Sequence, residues 1–236
     1  MPFANHFFVS IFLVIMISCA FSCPACTASP IDQAKVQIAQ DEACLRRGEV
    51  VVDMQEKGHI KYVVGHIWIN QPPSVVWPVL VNPFEFQGKI MSRLKEVEVL
   101  QDLPELSVLK CKIDIGLFMP KITYTVESRY KAPGQVDFQR RAGILKDFRG
   151  TWTIVPVDGG SSSEVSYSMF VDPGIPIPHW IVREGVKAEL PNTLKGVRAR
   201  VEAVRLGEQL ESKTIQAARL NSVENLLSAR AKPISE

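Results

Sequence analysis

The stretch GHIWINQPPSVVWPVL, residues 65–80, decides the fold because it joins a strand pattern to a helix pattern across two prolines. Apolar and polar residues alternate up to Asn70, which is typical of a strand. Pro72 and Pro73 are incompatible with a central strand, whereas proline at a first helical position loses no hydrogen bond. We therefore predict a strand that ends before Pro72 and a short helix over residues 74–81.

The segments on either side extend this pattern. Asn82-Pro83 ends the helix, and residues 84–90 are predicted to form a second short helix. Upstream, residues 50–54 and 60–70 are rich in β-branched and aromatic residues and predict the first strand pair. Before them, residues 31–47 predict a short helix that ends at a glycine.

Alternation of apolar and polar residues continues from Met91 to Val171. Its clearest block is FRGTWTIVPVDGGSSSEVSY, residues 148–167, which predicts two strands around a turn of glycine and serine. Further turn signals, Pro133-Gly134 among them, separate the other strands. We predict about five strands arranged as an antiparallel meander, with one face on a core and the other in water.

The hydrophobic period becomes helical after the proline-rich loop DPGIPIP, residues 172–178. We predict a long closing helix from His179, with a kink or a break at Pro191, because an internal proline removes a hydrogen bond and clashes with the preceding turn. A helical tail is predicted beyond Gly207. The apolar positions of the closing helix are Trp180, Val186, Leu190, Leu194, Val197, Val201 and Val204.

The order strand, helix, meander and final helix, together with residues 65–80, FRGTWTIVP and ELPNTLKGVRARVEA, resembles the START-like superfamily, also called SRPBCC or helix-grip. Within it the chain is most similar to the polyketide cyclase and coenzyme Q-binding START branch. The resemblance implies an α+β fold in which a curved antiparallel sheet wraps around a long C-terminal helix, with two short helices after the first strands. We assign residues 1–28 to a signal peptide, 29–48 to a helical extension, 49–206 to the START-like domain and 207–236 to a helical tail.

The first 28 residues contain no Lys, Arg, Asp or Glu, and Phe7 to Ala20 is almost unbroken in apolar character. This run is too short to span a membrane and ends in small residues, which predicts a cleaved export signal. A basic region ahead of the run is missing, so an uncleaved anchor or a lipidated Cys19 stays open as an alternative. We expect an exported protein, periplasmic or secreted.

Three of the five cysteines fall in this leader. Cys23 and Cys26 have the spacing of a redox dithiol, but no thioredoxin-like unit follows them, so we expect them to contribute nothing to function. Cys44 and Cys111 remain in the mature chain. In an oxidising compartment they can pair or stay free, and both alternatives stay open.

The mature chain lacks the sequence signatures of common enzymes. Its histidines, His59, His66 and His179, stand apart without companions at metal-ligand spacing, and no nucleotide or hydrolase motif occurs. We therefore expect no metal and no cofactor. A formal net charge of +2 predicts no nucleic-acid partner, whereas a transient membrane contact and the oligomeric state stay open.

The resemblance implies a cavity between the sheet and the closing helix, with inward residues of both as its wall. Arg140 follows Val136 and Phe138 on an expected inward face and is a candidate anchor for a polar group, unless the strand end turns it outward. The predicted ligand-binding residues are Tyr124, Val126, Phe138, Arg140, Trp152, Ile154, Tyr167, Met169, Val186, Leu190 and Leu194.

The leading functional hypothesis is a non-catalytic binder of a hydrophobic small molecule, such as a lipid, a quinone or a polyketide-like compound. The alternative is a polyketide cyclase or dehydratase, in which Arg140, Tyr124 or Tyr167 would serve as acid or base. A third hypothesis is a protein-interaction module, as in START-like proteins that dock on ribosomes, and predicted export disfavours it. Apolar walls select by volume and shape, so no particular ligand follows from the sequence.

Overall fold

The computed structural model describes residues 29–114 and 121–230, so the predicted leader with Cys19, Cys23 and Cys26 lies outside the described residues. The chain divides into two units, residues 1–37 and 38–236. In the first, the Ser29 hydroxyl accepts a hydrogen bond from the Asp32 N–H at 3.2 Å, which caps the N-terminus of a helix. The second unit contains the sheet and all the pockets discussed below.

The described residues form four α-helices and eight strands in the predicted order, which confirms the α+β helix-grip fold. Six strands follow the two short helices, rather than about five. The helices are α1 Pro30–Arg46, α2 Pro73–Val81, α3 Pro83–Phe86 and α4 His179–Arg230. The strands are β1 Val51–Lys57, β2 Ile60–Ile69, β3 Leu94–Leu103, β4 Leu106–Ile113, β5 Ile122–Lys131, β6 Gln135–Gly143, β7 Asp147–Val157 and β8 Ser162–Asp172.

The strands form one antiparallel sheet in the spatial order β1-β2-β8-β7-β6-β5-β4-β3. From β3 to β8 every strand pairs with its neighbour in sequence, as predicted for a meander. The first hairpin joins the far end of this meander, because β2 pairs with β8. On the outer face of that junction, His66 Nδ1 lies 2.9 Å from Glu164 Oε1.

The two short helices follow from local proline and asparagine chemistry. Pro72 has an extended backbone, and Pro73 occupies the first helical position of α2. The Asn82 side chain ends this segment by accepting a hydrogen bond from the Phe84 N–H at 3.1 Å, which caps α3. Helix α3 ends at Phe86, four residues earlier than predicted, because the chain then turns through Gly88 into a short bridge between Gln87 and Met91.

Helix α4 is continuous from His179 to Arg230, so of the two outcomes predicted at Pro191, a kink or a break, the break does not occur. An internal proline costs a helix about 3 kcal/mol, but the residues around it are held by packing. Leu190 and Leu194 are fully buried against the sheet, and Val197 and Val201 continue the same buried stripe. Burial of this stripe offsets the cost of the proline.

Gly65 sets the distance between α4 and β2. A Cβ atom at Gly65 would lie 2.5 Å from Leu190 Cδ2 and 2.6 Å from Leu194 Cδ1, closer than any normal contact. Because glycine has no side chain, the helix lies directly on the strand at this point. The middle of the space between sheet and helix is therefore filled by the two leucines.

We predict that Gly65→Ala lowers the free energy of unfolding by about 1–3 kcal/mol, because the added methyl group must displace two fully buried leucines. Gly185→Ala is the matched control, since Gly185 lies in α4 with nothing within 4 Å of its Cβ position. That control should keep or raise stability, by up to about 1 kcal/mol. Urea unfolding of both variants checks this, and equal stability of Gly65→Ala and the wild type would contradict the close approach.

Candidate functional site

An apolar pocket, here called the inner pocket, lies between the concave face of the meander and the short helices α2 and α3. Its volume is about 110 Å³. Its described lining contains no residue of α4 and no charged side chain. The lining residues are Leu80, Val81, Pro83, Phe86, Met91, Leu94, Val97, Leu109, Cys111, Tyr124, Val126, Ser128, Tyr130, Val136, Phe138, Phe148, Trp152 and Tyr167.

Stacked and tilted rings form the floor of the inner pocket. The Trp152 and Tyr167 rings are parallel within 5°, with centroids 3.8 Å apart, because the two residues are paired across β7 and β8. Phe138 leans against Tyr167 at 5.8 Å and against Phe148 at 5.0 Å. Its ring lies directly over Gly150, where a Cβ atom would come within 2.4 Å of Phe138 Cζ.

The polar atoms of the inner pocket belong to buried groups that stay neutral. Burial raises the pKa of the Cys111 thiol to about 11, although a hydrogen bond with Tyr124 acts in the opposite direction. Burial likewise holds the pKa values of the Tyr124 and Tyr167 phenols well above their usual range, and the Cys111 thiol adds to the effect at Tyr124. The Tyr167 hydroxyl donates to Met169 Sδ at 3.2 Å.

An open groove of about 590 Å³, here called the edge groove, lies on the surface beside the inner pocket. It lies between the α2–α3 corner and the β3–β4 hairpin, and Val81, Pro83, Leu109 and Tyr130 line both spaces. Its lining is mixed, because the polar residues Asn82 and Asp102 lie among apolar ones. Leu103 in this lining is 50% exposed. The pocket and the groove adjoin each other along the four shared residues.

A second, smaller group of residues forms a separate pocket, here called the α4 pocket. It has a volume of about 330 Å³ and lies beneath the first turns of α4, next to the β1–β2 turn and the end of β8. The residues that line it run from His59 to Val63, from Met169 to Asp172, and from His179 to Val186, with some positions omitted. None of its described lining residues also lines the inner pocket.

The predicted ligand-binding residues are distributed over these spaces rather than around one cavity. Tyr124, Val126, Phe138, Trp152 and Tyr167 line the inner pocket. Met169 and Val186 line the α4 pocket. Ile154, Leu190 and Leu194 are buried core and line neither pocket. For the two leucines this follows from the direct contact of α4 with the sheet at Gly65. Ligand contact at all these positions remains a prediction.

Arg140 lies on the inward face, since it is paired with Val126 across β5 and β6. Its Nη2 donates a hydrogen bond to the Gly143 carbonyl at 2.8 Å, and its Nε is buried without a partner among the described residues. The side chain is half-buried at the end of the strand and lines neither of the two pockets. A role as ligand anchor remains a prediction.

The sequence-based prediction omitted several residues that shape the inner pocket. Leu109 and Cys111 share the inward parity of β4, and Phe148 shares that of Trp152 on β7. Strand alternation was a sufficient signal for these three. Phe86 was not accessible to the same signal, because its ring reaches Trp152 at 5.8 Å only through the position of α3.

Other candidate chemistry is sparse in the described residues. Cys44 and Cys111 are free thiols, so they are not paired with each other. No cluster of three metal-ligating side chains occurs in residues 29–114 and 121–230. Within the same ranges, no helix combines the length and the apolar character needed to cross a bilayer.

The helix-grip sheet, the closing helix and the apolar pocket define a START-like protein. Residues 69–198 match the sequence profile of the family described as polyketide cyclase / dehydrase and lipid transport. The match covers more than half of the chain, and the chain therefore belongs to this family. No curated protein matches the sequence.

Solved structures share this fold at low sequence identity. A STAR-related lipid transfer protein from Xanthomonas axonopodis has a TM-score of 0.55 and 19% identity, covering 65% of this chain and 93% of that chain. A START superfamily protein from Mycobacterium smegmatis has a TM-score of 0.53 and 18% identity, covering 61% of this chain and 98% of that chain. The Zhui aromatase/cyclase from Streptomyces sp. R1128 has a TM-score of 0.51 and 15% identity, covering 64% of this chain and 94% of that chain. These similarities show the fold alone.

We predict that alkaline pH destabilises the protein partly through Cys111. The thiol has a pKa of about 11 in the fold and an ordinary pKa of 9.0 when it is exposed to water, so unfolding releases a proton between these pH values. Stability should fall as pH rises through this window, by up to about 1.4 kcal/mol per pH unit from this group. Urea unfolding between pH 8 and pH 10.5, in the presence of a reductant, measures the slope.

The Cys111→Ala variant should lose that part of the slope, whereas Val136→Ala, which also removes volume from the pocket wall, should keep it. A Cys111→Ala variant with the slope of the wild type would show that the thiol is not held protonated.

Proposed function

We propose that the protein binds a hydrophobic small molecule, such as a lipid, a quinone or a polyketide-like compound, without transforming it. The observation that carries the proposal is the ring-lined inner pocket, which has no charged group among its described lining residues and adjoins the partly apolar edge groove. Membership of a family associated with polyketide cyclases and lipid transport supports the same class of ligand.

The size of the spaces constrains how such a ligand is held. Ligand pockets commonly measure about 300–1,000 Å³, whereas the inner pocket measures about 110 Å³. We infer that a single ring or a short branched end enters the inner pocket. The longer apolar part then lies along the edge groove, past the four residues that line both spaces.

Two groups in the inner pocket favour a ligand with a carbonyl at its buried end. The Tyr124 phenol and the Cys111 thiol stay protonated at neutral pH and share a hydrogen bond, so one donates to the other and the second proton is left for a ligand. A quinone or a polyketide presents carbonyl oxygens that accept such a bond. A hydrocarbon of equal shape would leave the remaining donor without a ligand partner.

The same pKa values favour binding over catalysis. Cyclisation or dehydration needs a group that exchanges protons near the working pH. The titratable side chains that line the inner pocket are Cys111, Tyr124, Tyr130 and Tyr167, and burial raises the pKa of each one. These groups are suited to hold a carbonyl and are poor bases at neutral pH.

Binding of two quinones tests the proposal. Duroquinone provides the ring alone, and decylubiquinone provides a ring with a ten-carbon tail; both rings are fully substituted and do not add to thiols. We predict that Val126→Trp weakens calorimetric binding of both by at least about tenfold, because the indole fills the inner pocket. Leu103→Asp, at the groove rim, should weaken the binding of decylubiquinone more than the binding of duroquinone.

Val155→Trp is the matched control, since Val155 is 48% exposed on the outer face of the sheet, and it should bind both quinones as the wild type does. Equal binding by Val126→Trp and the wild type would exclude the inner pocket as the site. Absence of quinone binding, together with no lipid on the purified protein by native mass spectrometry, would overturn the proposal. Recovery of a ligand that has lost water would favour the cyclase or dehydratase alternative.

We also propose that the protein acts after export, on the basis of the apolar, uncharged leader. Mass analysis of the native N-terminus should find the first residue between Phe21 and Ile31. An intact Met1 on protein from the cytosolic fraction would contradict this, and a lipid-modified Cys19 would replace cleavage by a membrane anchor.

A further inference from the structure

The α4 pocket differs from the inner pocket in both position and chemistry. Met169 lines the α4 pocket, whereas Tyr167, two residues earlier on the same strand face, lines the inner pocket. The bond between the Tyr167 hydroxyl and Met169 Sδ lies between the two spaces. At about 330 Å³, the α4 pocket reaches the size range of known ligand sites, about 300–1,000 Å³.

The inner end of the α4 pocket is apolar. Val63 and Met169 are paired across β2 and β8 and form the part of the wall that the sheet contributes. Val182 and Val186 face them from α4, one helical turn apart. An alkyl chain placed here would contact apolar side chains from both the sheet and the helix.

The outer end of the α4 pocket is basic. Arg183 is half-buried in its wall and has no hydrogen bond or ion pair with any described residue. Lys61 lies nearby, and its contact with Glu56 is a long 3.8 Å between two exposed side chains, which contributes little. The Arg183 guanidinium is therefore available to donate hydrogen bonds to an anionic group of a ligand.

One acidic group, Asp172, also lines the α4 pocket. It is already engaged, because Lys146 Nζ lies 3.1 Å from its Oδ2 and the Gly174 N–H donates to its Oδ1 at 3.0 Å. The first turn of α4, which begins at His179, contains no acidic residue of its own, and Asp172 is the acidic group that interacts with its first residue. The local charge therefore favours an anion near Arg183.

We propose that the α4 pocket binds an anionic amphiphile, a single alkyl chain that ends in an oxyanion such as a carboxylate or a phosphate. The chain lies between Val63, Met169 and Val186, and the oxyanion accepts hydrogen bonds from the Arg183 guanidinium. This site is independent of the quinone or lipid site proposed for the inner pocket, and either can exist without the other.

Calorimetry below the critical micelle concentration tests the proposal with four probes that separate the chain from the charge. Dodecanoate and dodecyl phosphate combine both features, dodecanol carries the chain alone, and inorganic phosphate carries the charge alone. We expect the two anionic amphiphiles to bind at least about tenfold more tightly than either single-feature probe. Equal binding of dodecanoate and dodecanol would overturn the role of the charge, and equal binding of inorganic phosphate would overturn the role of the chain.

Variants assign the site. Arg183→Gln should weaken the binding of dodecanoate by at least about tenfold without changing the binding of dodecanol. Arg183→Lys, which keeps the positive charge, should bind dodecanoate more tightly than Arg183→Gln. Lys187→Gln is the matched control on the same helix, since Lys187 pairs with Glu184 and does not line the pocket, and it should bind as the wild type does. An equal effect of Arg183→Gln and Lys187→Gln would overturn the assignment.

Val126→Trp separates the two proposed sites, because it should reduce quinone binding and leave dodecanoate binding unchanged. Loss of dodecanoate binding in this variant would show that the amphiphile occupies the inner pocket instead. Thermal melts of each variant, recorded without ligand, verify that a loss of binding is not a loss of fold.

Discussion

The contact between α4 and β2 at Gly65 determines where this protein has free space. With no side chain at that position, Leu190 and Leu194 rest on the sheet backbone and fill the centre of the interface. Within the described residues, space remains on either side of this contact. On one side the short helices α2 and α3 stand away from the meander and leave the inner pocket, and on the other the first turns of α4 diverge from β8 and leave the α4 pocket.

Much of the fold was predictable because its signals are local. Period-two alternation identified the meander strands, and a period of about 3.6 identified α4, so which residues face inward followed directly. The distance between a helix and the strand that it faces does not follow from such local patterns, because it depends on residues that are far apart in sequence. Leu190 and Leu194 were correctly expected to face the sheet. They are core residues rather than the lining of a cavity because Gly65, far away in sequence, has no side chain to hold the helix off the strand. The early end of α3 has a similar origin in the turn at Gly88.

The walls of the two pockets differ in chemistry and therefore suit different kinds of ligand. The inner pocket excludes charge, keeps the Tyr124 phenol protonated and surrounds its contents with rings. The α4 pocket combines an apolar end with the Arg183 guanidinium, which has no partner among the described residues. If the inner pocket binds the ligand proposed for it, its selectivity would rest on shape and a hydrogen bond. Selectivity of the α4 pocket would rest on charge, and salt would weaken it because ionic attraction is screened.

The pairing of β2 with β8 has a consequence for how the chain reaches its native state. Each strand from β3 to β8 pairs with a sequence neighbour, so the meander can grow one hairpin at a time. The first hairpin must wait, since His66 and its partner Glu164 are 98 positions apart. The entropy lost on closing so long a loop makes this step late and slow. Until it occurs, two unpaired strand edges are exposed to other chains, and association during folding competes with completion of the sheet.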